Sequence, residues 1–159
     1  MNDVEHAIHL FLSGNRDESI SGESLIYSLV EKNKMKQIMF ELLGHPEHHS
    51  RACDVLYDIG TQEDAFQLLP YLTSDNNQIV MSTIRVLGRI GNSAVIPPLC
   101  ELWDSTNMFD LDLRFALSDV CDRMTHQELE SFRTSDSEIL NMIVQNQFSR
   151  LYRREQPVD

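Results

Sequence analysis

Leu-Gly-Arg-Ile-Gly at residues 87–91 repeats Leu-Tyr-Asp-Ile-Gly at residues 56–60, a shift of 31 residues. A looser copy, Leu-Ser-Asp-Val-Cys, follows at residues 117–121, after a further 30 residues. The segments between them also match, since Phe-Gln-Leu-Leu-Pro-Tyr-Leu at 66–72 aligns with Ile-Pro-Pro-Leu-Cys-Glu-Leu at 96–102. A period of about 30 residues that holds two amphipathic segments is typical of a helical solenoid. Such an array presents a long curved surface that is suited to binding.

Helical spacing of apolar residues extends beyond these repeats, and no stretch alternates with a period of two. The pattern therefore predicts an all-α chain of nine or ten helices. The predicted helices are 3–13, 23–31, 35–43, 48–59, 62–72, 77–90, 94–103, 108–124, 126–132 and a last helix from Ser135 to about Tyr152. Pro70 is expected to bend the last turn of its helix. The polar stretch 14–22, bounded by two glycines, predicts a loop.

The chain length of 159 residues is that of one ordinary domain. We expect a single domain over residues 1–159. Residues 1–41 would form capping helices at the N-terminal end, and residues 42–124 would form the regular repeats. Residues 125–159 would cap the other end, because a short array must cover the apolar faces of its terminal repeats.

The helix ending in Leu-Gly-x-Ile-Gly, followed by a short turn and a helix ending in apolar-Pro-x-Leu, resembles the short HEAT-like repeats of the lyase type that acts on phycobilisome chromophores. The resemblance covers residues 42–124. It implies a right-handed α-solenoid of HEAT-like helical hairpins and a binding habit, and it carries no catalytic residues. The family usually has an arginine early in the second helix, near where this chain has His49 and Val80.

The formal charge of the chain is −12, and it is concentrated in the repeats. Residues 37–148 hold 17 Asp or Glu against 6 Arg, a net of −11. Such a field repels nucleic acid and anionic membranes and attracts basic proteins, although the charge could also serve solubility alone. No apolar run approaches the roughly 20 residues of a membrane span, and the N-terminus lacks a basic leader. Three cysteines without framework spacing favour reduced thiols, so we expect a cytoplasmic protein.

Possible metal ligands and catalytic groups do not converge in the sequence. The densest set is His45, Glu47, His48 and His49, but two adjacent histidines on a helix point about 100° apart and cannot easily chelate one ion. Two carboxylate pairs lie one turn apart, Asp54 with Asp58 and Asp119 with Asp122, as solvated helix faces usually do. We therefore expect no catalytic residue, no metal and no cofactor.

The best candidate binding residues project outward from the second helix of each repeat, which lines the inner curve of such arrays. Tyr57 stands out as an aromatic residue with a polar tip, which suits an interface anchor. The predicted partner-binding residues are Arg51, Asp54, Tyr57, Asp58, Arg85, Arg89, Asp112, Asp119 and Asp122.

Small size, an acidic repeat region and no targeting signal together resemble a bacterial immunity protein. That resemblance implies a protein that neutralises a basic partner, commonly a nuclease toxin, by placing carboxylates in its phosphate sites. Two alternatives remain open. One is a general scaffold or adaptor domain, and the other is an accessory lyase-type or glycosylase-like enzyme, for which a dry apolar cleft would be the distinguishing feature.

Overall fold

The computed structural model describes residues 2–154, and this part of the chain is all-helical. It contains nine α-helices, three 3-10 helices and no strand, which confirms the all-α prediction for these residues. The α-helices are α1 Asp3–Phe11, α2 Arg16–Leu29, α3 Lys32–Leu43, α4 His49–Ile59, α5 Asn77–Ile90, α6 Ile96–Ser105, α7 Asp110–Asp122, α8 His126–Ser131 and α9 Glu138–Arg154. The 3-10 helices are Gln62–Gln67, Leu69–Thr73 and Ser93–Val95.

The chain divides into two compact units at the boundary between Ile59 and Gly60. We call the part up to Ile59 unit 1 and the part from Gly60 unit 2. The boundary falls inside the segment 42–124 that the sequence assigns to the regular repeats. The single-domain organisation, with its capping segments 1–41 and 125–159, stays a prediction.

In unit 1, α1 and α2 pack closely where Gly22 meets the backbone of α1. A Cβ atom placed on Gly22 would lie 2.1 Å from the amide nitrogen of Phe11 and 2.6 Å from the carbonyl carbon of Leu10. The loop predicted over residues 14–22 is therefore wrong from Arg16 onward. Asn15 starts α2 early, because its side chain accepts hydrogen bonds from the amides of Asp17 and Glu18. Gly22 serves close helix packing and does not end a helix.

The third and fourth helices complete unit 1, and a buried histidine joins them. The side chain of His49 is fully buried, and its Nδ1 lies 3.0 Å from the carbonyl oxygen of Leu43. Because a carbonyl can only accept, the neutral ring carries its proton on Nδ1. The apolar stripe predicted for α4, which comprises Ala52, Val55, Leu56 and Ile59, is buried as expected.

Unit 2 begins with two short 3-10 helices in place of the single helix predicted over residues 62–72. The break falls at Leu68, and Pro70 occupies the first turn of the second 3-10 helix. A proline in an α-helix has no amide hydrogen to donate and crowds the preceding turn, so the chain accommodates Pro70 by starting a new turn. The predicted helix 77–90 is confirmed without change as α5.

Two of the longest helices of unit 2, α5 and α7, run parallel to each other. A Cβ atom on Gly88 would lie 2.7 Å from the Cα of Ala116, so the two backbones nearly touch there. Arg123 follows Ala116 by seven residues, and its guanidinium donates to the carbonyl oxygens of Gly88 and Gly91, at 2.6 Å and 3.0 Å. The C-terminal ends of α5 and α7 therefore lie close together, as they do in a parallel pair of helices. This matches how second helices of consecutive repeats stack, and the right-handed solenoid stays a prediction.

Polar side chains begin several elements of unit 2. Thr125 and Glu128 form a reciprocal capping box at the start of α8. The side chain of Asn92 caps the 3-10 turn before α6. The last helix starts at Glu138, three residues after the predicted start at Ser135. Within residues 2–154, no helix is both long and apolar enough to cross a membrane.

Candidate protein-binding surfaces

The clearest concentration of negative charge in unit 1 lies where α2 and α4 meet. Asp54 and Asp58 are exposed on α4, one turn apart, because the buried stripe of that helix points the other way. The α2 helix brings Glu23 and Tyr27 beside them, and the Tyr27 hydroxyl donates to Oδ2 of Asp58 at 3.3 Å. We call these four residues the unit 1 acidic face. The two aspartates were predicted from the sequence. Glu23 and Tyr27 were not, because no residue of α2 was predicted to bind a partner.

The electrostatics of this face are visible in two pKa shifts. Partial burial, followed by the negative charges of Asp54 and Asp58, raises the pKa of Glu23 above its usual value. Partial burial and the charge and hydrogen bond of Asp58 raise the pKa of Tyr27 to about 12. The contributions of Asp54 and Asp58 to these shifts indicate a negative potential, because proximity to like charge disfavours a further negative charge. Tyr27 therefore stays protonated and remains a hydrogen-bond donor.

A cleft of about 250 Å³ opens beside the unit 1 acidic face. Glu23 and Asp54 belong to both the face and the cleft, while Arg16 places a cation at the cleft wall. The remaining lining residues are Phe11, Gly14, Ser19, Ile20 and Arg51. A cleft lined by both apolar and charged side chains has the size to receive a side chain of a partner protein.

Arg51 and Tyr57 take different positions from the two aspartates of α4. The half-buried guanidinium of Arg51 donates from Nη1 to the carbonyl oxygens of Phe11 and Ser13. It thereby satisfies acceptors at the C-terminal end of α1, where a cation is favoured by the helix dipole. Tyr57 is also half-buried. Their predicted role in partner binding stays a prediction, and the observed role of Arg51 is to hold α4 against α1.

In unit 2, the remaining predicted residues share one side of the α5–α7 pair. The direction of each side chain follows from a turn of 100° per residue, viewed from the N-terminal end of the helix. On α5, Arg85 and Arg89 lie clockwise of Gly88. On α7, Asp112 and Asp119 lie counter-clockwise of Ala116. Two parallel helices that touch at Gly88 and Ala116 place both rows on the same side. The arginines and Asp119 are exposed there, whereas Asp112 is half-buried. This face carries both signs of charge.

Asp122 lies one turn beyond Asp119 on α7, and Oδ1 of Asp122 is 3.7 Å from Nη1 of Arg150. Both side chains are about half exposed, at 49% and 61%. An exposed ion pair of this kind contributes little to stability, so a partner's cation can replace Arg150 at small cost.

An exposed apolar stripe on α7 was missed by the sequence analysis. Met108, Leu111 and Phe115 expose 63%, 70% and 68% of their surface. The predicted core residues of this helix, among them Leu113, Leu117 and Val120, are buried as expected. Leu111 and Phe115 lie one turn apart on the side of α7 away from those core residues. A helical projection of residues 108–122 could therefore have revealed the stripe.

No group of three or more potential metal ligands occurs among residues 2–154. Burial raises the pKa of the Cys100 thiol, and it raises the pKa of Cys121 to about 12, so both thiols stay protonated. Trp103 is half-buried, and the guanidinium of Arg114 lies 5.4 Å from the centre of its ring.

Comparison of the chain with protein-family models and with curated proteins finds no match. The HEAT-like assignment consequently depends on the repeated residues and on the parallel packing of α5 and α7.

Proposed function

We propose that this protein binds and neutralises a basic protein, as a bacterial immunity protein does for its cognate toxin. The observation that supports this best is the unit 1 acidic face. Partial burial raises the pKa of Glu23, and the negative charges of Asp54 and Asp58 raise it further. A cationic side chain that enters this face would relieve that repulsion, so its binding is favoured by charge and by contact.

The whole chain reinforces this local field. With a formal charge of −12, the protein attracts a basic partner over a distance limited by salt screening. Carboxylates docked against a cationic active site would occupy the positions of substrate phosphates. The same field disfavours binding of nucleic acid and anionic lipid. The proposed mechanism is occlusion in the cytoplasm, without catalysis by this chain.

The mixed face of α5 and α7 would act differently from the unit 1 acidic face. A row of arginines on α5 beside a row of aspartates on α7 favours one orientation of a partner and contributes little net attraction. We therefore assign the fast, salt-dependent association to Glu23, Asp54 and Asp58. Arg85, Arg89, Asp112 and Asp119 would favour the correct orientation of the partner.

The test compares the parent protein with the variant Asp54→Lys/Asp58→Lys. Each protein is immobilised and used to capture partners from a lysate of the organism that produces it. The captured partners are identified by mass spectrometry and then purified. Binding of the purified partner is measured by surface plasmon resonance over a range of salt concentrations. We expect a basic partner whose association with the variant is at least about tenfold slower at low salt.

The matched control is Glu41→Lys/Asp75→Lys, which makes the same change in net charge at two exposed positions outside the acidic face. It should retain most of the parent's association rate. A partner that is acidic, or one whose association ignores both salt and the reversal at Asp54 and Asp58, would contradict the proposal. Hydrolysis or lyase activity of the purified chain would favour the enzyme alternative.

A further inference from the structure

The apolar stripe of α7, which consists of Met108, Leu111 and Phe115, is a surface of unit 2 that the proposed function does not use. Phe115 follows Leu111 by four positions. Met108 precedes Leu111 by three positions and lies in the turn before the helix. Helical spacing places Leu111 and Phe115 on one side of α7, one turn apart. Each exposes more than 60% of its surface. Contiguous exposed apolar groups of this kind mark interaction surfaces.

Carboxylates border the stripe. Asp112 and Asp119 lie between the stripe and α5, because they are closer to Ala116 around the helix than Leu111 and Phe115 are. Asp122 continues the line of the stripe two turns beyond Phe115. Its ion pair with Arg150 is long and exposed, so the carboxylate can exchange that partner for another cation.

Building on the basic partner proposed above, we propose that the apolar stripe of α7 docks an amphipathic helix of that partner, with lysine or arginine along the edge of its apolar face. An apolar row with carboxylates along one edge is complementary to an apolar row with cations along one edge. An exposed apolar row on one helix can pack against the apolar face of a second helix.

A second copy of this chain is a poor occupant for the same stripe. Each copy carries a formal charge of −12, and a two-fold contact would bring the aspartates of one α7 close to those of the other. Juxtaposed like charges oppose association. Charge therefore favours a cationic occupant over self-association.

The probe is a fluorescein-labelled peptide of leucine and lysine, about 18 residues or five helical turns long, ordered so that its leucines form one face. A scrambled peptide of the same composition removes the apolar face, and a leucine–glutamate peptide in the original order reverses its charge. Fluorescence anisotropy measures the binding of each peptide to the full-length protein. We expect the ordered cationic peptide to bind at least tenfold more tightly than either of the others. Equal binding of the scrambled or the glutamate peptide would overturn the inference.

The variant Leu111→Ser/Phe115→Ser removes two anchors of the stripe. We expect it to weaken binding of the cationic peptide at least tenfold, because a few central apolar side chains dominate most interfaces. The matched control, Phe66→Ser/Met142→Ser, removes two other exposed apolar side chains of unit 2 and should bind like the parent. Equal binding by the stripe variant and the parent would overturn the inference.

Backbone amide spectra of the unmodified protein supply a measurement that needs no variant. Titration with the cationic peptide should shift the amides of residues 108–122 first. Shifts that centre on α2 and α4 instead, with binding lost in Asp54→Lys/Asp58→Lys and retained in the stripe variant, would overturn the docking site and leave the proposed function standing. If the stripe binds the peptide while the charge-reversed variant captures its natural partner like the parent, the proposed function fails and the docking site stands.

Discussion

Gly88 of α5 and Ala116 of α7 meet so closely that a Cβ atom on Gly88 would lie 2.7 Å from the Cα and 2.9 Å from the Cβ of Ala116. Real Cβ atoms do not approach other carbons to that distance, so a side chain at position 88 must push the two helices apart. The same contact fixes the mutual rotation of α5 and α7. It thereby decides which residues of unit 2 share a surface.

We predict that Gly88→Ala destabilises the protein by about 1–3 kcal/mol, the usual cost of overpacking. In an exposed helix the same substitution would stabilise by up to about 1 kcal/mol, so the sign of the effect tests the contact. Urea unfolding followed by circular dichroism gives the free energy of unfolding. The control is Gly14→Ala, because a Cβ atom at Gly14 has no described neighbour within 4 Å. A Gly88→Ala variant as stable as the parent would show that the helices do not meet there.

Arg123 closes the C-terminal end of α5, and its removal should be costly. We predict that Arg123→Gln destabilises by about 1.5–3 kcal/mol, because hydrogen bonds from a charged donor to the carbonyls of Gly88 and Gly91 are lost. Arg133→Gln is the control, since Arg133 makes only exposed contacts among those described, an ion pair with Glu130 and a contact with the ring of Phe148, and exposed contacts of each kind contribute about 1 kcal/mol or less. Thermal unfolding of both variants measures the difference. Equal effects would indicate that the contacts of Arg123 are surface contacts.

His49 should make stability fall in mildly acidic solution. Burial lowers the pKa of His49 below its ordinary value of 6.5 and outweighs the hydrogen bond to the Leu43 carbonyl, which acts in the opposite direction. The unfolded chain then binds a proton more readily than the folded protein does, so this contribution is complete above about pH 6.5 and is lost progressively below it. His49→Asn can keep a donor near the Leu43 carbonyl but cannot titrate.

The measurement for His49 is the free energy of unfolding of the parent and of His49→Asn between about pH 5 and pH 8. The difference between the two proteins should shrink as the pH falls, because only the parent loses stability through this histidine. Other groups that titrate in this range affect both proteins alike. A difference that stays constant with pH would contradict the assignment.

Local sequence signals were sufficient for most helices, because their causes are local. The α5 helix was predicted residue for residue, since Asn76 caps it and nine of its fourteen residues form the buried stripe. The start of α2 was missed for a tertiary reason as well as a local one. Gly22 resembles a helix terminator in sequence, yet the backbone of α1 lies where its side chain would be. Pro70 was recognised as a perturbation, but not as the cause of two separate 3-10 helices.

The candidate surfaces divide in the same way. Asp54 and Asp58 could be predicted, because a helical projection of α4 places both opposite its buried stripe. Glu23 and Tyr27 could not, because their place beside those aspartates depends on how α2 packs within unit 1.

The sequence by itself determined the helical class, the period of about 30 residues and the strong negative charge, since composition and spacing are properties of the linear chain. Only the tertiary structure decided that the side chain of Arg51 donates to the carbonyls at the end of α1. It also placed Glu23 close enough to Asp54 for the charge of that aspartate to raise the pKa of Glu23. It also decided that the arginines of α5 share a side with the aspartates of α7. These relationships depend on distances between residues far apart in the chain, and such distances are set by packing contacts such as that of Gly88 with Ala116.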